Sequence, residues 1–138
     1  MKIKIILIAG LVAFSAILFS FQHKPFTNTH EIKKGMIKVT ILYPAEEGKT
    51  FNMDYYSTKH MPMVAQLLGD SLKMLSIDKG VGGGAANAPA PFVAIGYLYF
   101  DRLSAYLHAF APVAEKIRND IPNYTDIKPV IQISEVLQ

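Results

Sequence analysis

Cysteine is absent from this 138-residue chain, and charge is sparse: 18% of the residues are charged, 14 basic against 11 acidic. Without cysteine there is no disulfide and no lipid-attachment thiol, so the fold must be held by packing alone. The lysines are scattered singly, with no basic stripe interleaved with aromatics, which argues against a nucleic-acid partner. No G-x-G-x-x-G motif follows a strand and opens a helix, so no dedicated nicotinamide or flavin site is visible. The glycines of "VGGGAANAPAP" lack the lysine and the Ser/Thr of a phosphate loop, and no helix opens after them; they read as a connection between two antiparallel strands.

Apolar residues, by contrast, make up 51% of the chain, and part of that excess lies at the N-terminus. Lys2 and Lys4 precede an uncharged run from Ile5 to Phe21, and the next charge is Lys24. This is the layout of a signal peptide or N-terminal membrane anchor over residues 1–22. It predicts a domain that works outside the cytoplasm, periplasmic, extracellular or anchored, and touches the membrane only through this segment. The best cleavage site follows Ser20 but sets Leu18 where a small residue is preferred, so cleaved and retained forms both stay open. Residues 23–35 are polar and read as a linker, leaving 36–138 as the folded domain.

Within that domain "MIKVTILYP" alternates Ile37, Val39, Ile41 and Tyr43 with Lys38, Thr40 and Leu42, and a proline stops it: a strand. Asn52 is placed to cap a helix whose apolar side carries Met53, Tyr56, His60, Val64, Leu67 and Leu68. Pro62 predicts a kink just past His60. Leu72–Gly80 and Phe92–Phe100 read as strands two and three. A second helix runs to about Asn119, with Leu103, Leu107, Phe110, Ala114, Ile117 and Ile121 as its stripe and a break near Pro112. Lys128–Val136 is the fourth strand. The order is βαββαβ, an α+β ferredoxin-like pattern with a four-stranded antiparallel sheet. Two helices cover one face of such a sheet, yet strand three is apolar on both: Val93, Ile95, Tyr97 and Tyr99 on one, Ala94, Leu98 and Phe100 on the other. The uncovered face therefore calls for a second copy of the chain, a homodimer.

The stretches "MDYYSTKHMPMV", "GVGGGAANAPAPFVAIGYLYFD" and above all "DIPNYTDIKPVIQISEV" resemble the EthD family of dimeric α/β-barrel proteins, over about Met36 to Val136. The resemblance implies ferredoxin-like subunits pairing sheet to sheet into a barrel, each with a small pocket between sheet and helices. Members are commonly labelled reductases, and the wider superfamily includes isomerases, cofactor-free monooxygenases and haem enzymes. The N-terminal segment departs from the family, whose members are typically cytoplasmic.

For such a pocket the chain supplies Tyr43, Tyr97, Tyr99, Tyr124 and Phe110 as candidate lining. His60 and Tyr56 are the candidate catalytic pair, a neutral imidazole beside a phenol for proton transfer on a small hydrophobic substrate. Each tyrosine can equally be a core residue with its hydroxyl paired. No metal site is expected, since His60 has no histidine, cysteine or carboxylate at i+3 or i+4 on its face. No cofactor is evident, and haem on a single histidine is the alternative left open. The residues and the resemblance together point to an EthD-type small-molecule enzyme, either an oxidoreductase or an acid–base catalyst. An exported dimer that holds a small ligand without turning it over is the competing class.

Overall fold

The computed structural model describes residues 31–138; the expected signal or anchor over residues 1–22, and most of the linker, lie outside the described residues. Strand β1 (Ile37–Pro44) is followed by α1 (Met53–Tyr55), a π-helical turn (Tyr56–His60) and α2 (Met61–Leu68). Then come β2 (Met74–Lys79), β3 (Phe92–Phe100), α3 (Leu103–Phe110), α4 (Ala114–Asp120) and β4 (Val130–Glu135). The strands form one sheet in the order β2-β3-β1-β4, every neighbouring pair antiparallel. This is the ferredoxin-like α+β fold that the strand and helix order predicts. Among the described residues no helix is long and apolar enough to cross a membrane.

Register explains which side chains reach the core. Val39 pairs with Leu98, Ile41 with Gly96 and Tyr43 with Ala94, so these residues share one face, and the helices pack on it. Met61, Val64, Ala65 and Leu68 of α2 supply the facing layer, all buried. The opposite face carries Lys38, Thr40 and Leu42 across from Tyr99, Tyr97 and Ile95, as alternation in a strand dictates. Edge strand β4 is left largely uncovered even on the helix side: Ile131 is 50% and Ile133 46% exposed.

Asn52 caps α1, its side chain accepting from the Tyr55 amide at 3.0 Å. The expected kink takes the form of a π turn that ends at His60, with the Met61 N–H donating to the Tyr56 carbonyl five residues back. Pro62 then falls in the first turn of α2 and has no N–H to donate back into the π turn that precedes it. The wider turn carries Tyr56 and His60 inward together, and both are buried. At the far end Gly69 takes a positive φ of 54° as the C-cap of α2, the conformation glycine adopts without steric cost.

The second helix differs from the expected stripe. Leu103 and Leu107 are 45% and 50% exposed, and Tyr106 is the buried residue of α3, packed against Phe100 and Phe110 at ring separations of 5.2 and 5.4 Å. A 3₁₀ turn at Ala111–Val113, around Pro112, separates α3 from α4. The expected stripe holds for Phe110, Ala114, Ile117 and Ile121, all buried or half-buried against the core, and fails at Leu103 and Leu107.

Gly96, in the middle of β3, is where the core is tightest. A Cβ at this position would run into the Tyr56 hydroxyl and crowd the Met61 methyl at 3.2 Å. That hydroxyl is fully buried and has no hydrogen-bond partner among the described residues. Gly96→Ala is therefore expected to lower stability by about 1–3 kcal/mol through overpacking. Tyr56→Phe, which deletes an unpaired buried hydroxyl, is expected to be neutral or stabilising and to restore most of the loss in the double variant. Chemical denaturation of the four proteins checks this, and additive effects of the two substitutions would show that the hydroxyl is not the obstacle.

Candidate functional site

Two segments far apart in sequence are stitched together beside the π turn. Phe51 and Thr125 form an isolated antiparallel bridge, and the Asn52 amide donates to the Tyr124 carbonyl at 2.7 Å. The Thr125 hydroxyl donates to the Thr50 carbonyl at 2.7 Å and accepts from the Ile127 amide at 3.0 Å. Asp126 accepts from the Thr50 amide at 2.8 Å. These bonds fix the turn after α4 against the entry to α1, and so bring the end of α4 to the histidine on the π turn.

There Asp120 Oδ2 lies 2.8 Å from His60 Nδ1. Oδ1 of the same carboxylate accepts from the Tyr55 hydroxyl at 3.0 Å and from Asn123 Nδ2 at 2.8 Å. A carboxylate held by three donors orients the imidazole as the Nδ1–H tautomer and leaves Nε2 with its lone pair. His60 is only 3% exposed, and it lines an open cavity of about 1170 Å³ between the sheet and the helices. Val39, Ile41, Val64, Leu98, Phe110 and Ile117 give that cavity an apolar wall.

Next to the histidine stands a block of aromatic rings. The His60 and Tyr124 centroids are 4.6 Å apart, and the rings of Tyr56 and His60 stack at 5.8 Å. Tyr43, Phe51 and Tyr124 meet edge to face at 4.9 to 6.0 Å, arrangements worth about 0.5–1.5 kcal/mol per pair beyond burial. The hydroxyls of Tyr43 and Tyr124 are bonded to each other at 2.6 Å.

Burial and hydrogen bonding pull the ionisable groups in different directions. Burial lowers the His60 pKa, and the Asp120 hydrogen bond and charge only partly offset this. For Asp120, burial raises the pKa, but hydrogen bonds from His60, Asn123 and Tyr55 together hold it below the usual carboxylate range. Tyr43 is pushed up to about 12 by burial, its bond to Tyr124 acting weakly in the other direction. Tyr124 is raised by burial and by the neighbouring Tyr43. The result is a neutral base beside phenols that stay protonated, a combination suited to moving a proton.

Of the residues singled out in the sequence, His60, Tyr43, Tyr124 and Phe110 line the cavity. Tyr56 lies behind the wall, its hydroxyl turned toward Gly96, and does not line it. Tyr97 and Tyr99 are a correction: their register with Thr40 and Lys38 puts them on the opposite face of the sheet. Strand alternation alone separates them from Tyr43, since Tyr43 pairs with Ala94 and shares its face with the even-numbered residues of β3. The residue that sequence reasoning missed is Asp120. It lies sixty residues from His60, and its only signal was its place at the head of "DIPNYTDIKPV". Among the described residues no group of three or more His, Cys, Asp or Glu side chains could hold a metal ion.

Comparison with known proteins gives a consistent picture. Residues 48–128 match the EthD domain. The crystal structure of an EthD-like protein from Ralstonia eutropha JMP134 is 42% identical with a TM-score of 0.73, the match covering 77% of this chain and 96% of that one. An ethyl tert-butyl ether D (EthD) family protein from Bacillus halodurans C-125 is 15% identical with a TM-score of 0.53, covering 74% of this chain and 99% of that one, and supports the fold alone. No curated protein matches the chain.

The lowered pKa of His60 has a defined sign in solution. Below the usual 6.5 the unfolded chain protonates this imidazole while the fold resists, so stability is retained above that value and falls as pH drops through it. Asp120, held low in the fold, adds to the loss at more acid pH. Nitrogen-detected NMR is expected to show His60 as the Nδ1–H tautomer with a midpoint below 6.5. An ordinary or raised midpoint would contradict the geometry. Asp120→Ala, which leaves three donors without their acceptor, is expected to cost about 1.5–3 kcal/mol in thermal or chemical unfolding.

Proposed function

Because the chain belongs to the EthD family, we propose that it is a small-molecule enzyme performing acid–base chemistry on a small hydrophobic substrate, with His60 as the base and Asp120 as the residue that orients it. The observation that carries this is the 2.8 Å bond from the His60 ring to Asp120 at the wall of an apolar cavity of about 1170 Å³. Nε2 accepts a proton from the bound substrate, the imidazolium is stabilised by the carboxylate behind it, and the proton is returned from the same nitrogen. Tyr55 and Asn123 act on Asp120, fixing the carboxylate rather than touching substrate. Phe110, Val64 and Ile117 exclude water and select an apolar body.

The oxidoreductase activity implied by the family label draws on the same cavity and is distinguished by consumption of an electron donor. The competing class, a dimer that holds a ligand without converting it, is supported by the apolar wall of the cavity and distinguished by turnover. We further propose that the working unit is a homodimer formed through the sheet's uncovered face. Its support is Leu42, Ile95, Tyr97 and Val130, half-buried or exposed on the side that the helices do not cover. An exported domain is part of the same proposal, supported by Lys2 and Lys4 ahead of the apolar run Ile5–Phe21.

Deuterium incorporation from heavy water into a panel of small cyclic ketones and lactones, followed by NMR, reads the proton transfer directly. His60→Gln is expected to reduce exchange at least about 100-fold while ligand affinity changes little. Full exchange in that variant would remove His60 from the chemistry, and steady donor oxidation in its place would favour the reductase. Light scattering is expected to give twice the subunit mass, with a buried interface on the order of 1,200–2,000 Å² or more. A monomer at micromolar concentration would end the dimer proposal.

A further inference from the structure

The short bond between the Tyr43 and Tyr124 hydroxyls concerns the cavity as well as the core. Two hydroxyls carry two protons, and a single bond between them uses one. Whichever oxygen accepts within the pair keeps its own proton, and no second protein acceptor is assigned to either hydroxyl. Both side chains line the cavity, and both are almost fully buried, at 2% and 3% exposure. Packing edge to face against Phe51 fixes the rings and so the positions of both hydroxyl oxygens. The His60 and Tyr124 ring centroids are 4.6 Å apart, so the imidazole and the tyrosine that carries one of the two hydroxyls are neighbours in the lining of one cavity.

From this arrangement we infer that the Tyr43–Tyr124 hydroxyl pair is a docking point for a ligand oxygen that carries or gains negative charge. The substrate class is then a small apolar molecule whose acidic C–H or O–H is adjacent to a carbonyl or phenolic oxygen. This deepens the proposed acid–base function and rests on it. For a carbonyl substrate, His60 Nε2 takes the proton from the neighbouring carbon, and the C–H electron pair becomes the new C=C bond. The carbonyl π pair moves to oxygen, where the hydroxyl pair donates to the resulting enolate. Return of the proton to the same carbon exchanges it, and return to a conjugated one isomerises the molecule, with no change in oxidation level. Burial keeps both phenols protonated, so they serve as donors throughout and do not compete with His60 as the base.

The test compares 4-nitrophenolate, at a pH where it is fully ionised, with 4-nitrotoluene, which has nearly the same shape but no oxygen. Calorimetric titration of the purified protein is expected to give at least about tenfold tighter binding of the phenolate, the worth of one charge-assisted hydrogen bond. Tyr43→Phe/Tyr124→Phe replaces both partners with apolar groups of the same shape, so it is expected to fold normally and to bind the two probes equally. His60→Gln is expected to keep the preference for the phenolate while losing proton exchange, which separates the two claims. Equal binding of both probes by the unaltered protein, or no binding of either, overturns the inference. So does a phenolate preference that survives in the double phenylalanine variant or disappears with His60→Gln alone.

Discussion

The bridge between Phe51 and Thr125 is the constraint on which the rest of the site depends. Thr50 and Thr125 are 75 residues apart, and the backbone bonds around them make the loop after β1 and the turn after α4 behave as one piece. Without that tie Asp120 would be a carboxylate at the frayed end of a seven-residue helix, and His60 a buried imidazole with no acceptor. With it, each of the two groups removes the other's difficulty: the carboxylate gains donors, and the ring gains an orientation. The connection also explains why catalytic geometry and stability are hard to separate here, since the same bonds close the core beneath Tyr124.

Much of the fold was legible because it follows local rules. The unbroken apolar and aromatic run of β3 marked its limits at Phe92 and Phe100, and the Asn52 cap followed from side-chain chemistry one turn from its target. What was not legible depended on winding or on distance. The π turn at Tyr56–His60 and the 3₁₀ turn at Ala111–Val113 leave no mark in a stripe drawn at 3.6, although Tyr56, His60, Val64 and Leu68 are buried where that stripe has them. Tyr106 was overlooked because Leu103 and Leu107 occupy the stripe in its place. Asp120 was overlooked for another reason: no helical spacing or strand alternation relates it to His60, only the tertiary crossing does. Tyr97 and Tyr99 were grouped with the pocket by residue type, whereas their register assigns them to the other face.

The electrostatic design rests on one cause acting on two kinds of group. Loss of solvent disfavours charge, so burial lowers the imidazole and raises the phenols, and the same apolar surroundings therefore prepare a base and a set of acids that stay neutral together. Asp120 keeps its charge because three donors reach it. The other charged residues at the cavity, Arg118, Asp126 and Lys128, are exposed, so the carboxylate beside His60 is the one that hydrogen bonds must hold.

The π turn also limits how this segment can change over time. It holds one residue more per turn than the α-helix that flanks it, so losing any one of Ser57, Thr58 or Lys59 would restore ordinary winding. The Met61 N–H would then meet the Tyr56 carbonyl across four residues instead of five, so α1 and α2 would keep their relative facing and only the wide turn that seats Tyr56 and His60 would be lost. Thr58 and Lys59 are exposed and free to vary in kind. Their number matters only locally: one residue fewer closes the wide turn around Tyr56 and His60 while the helical faces on either side stay where they are.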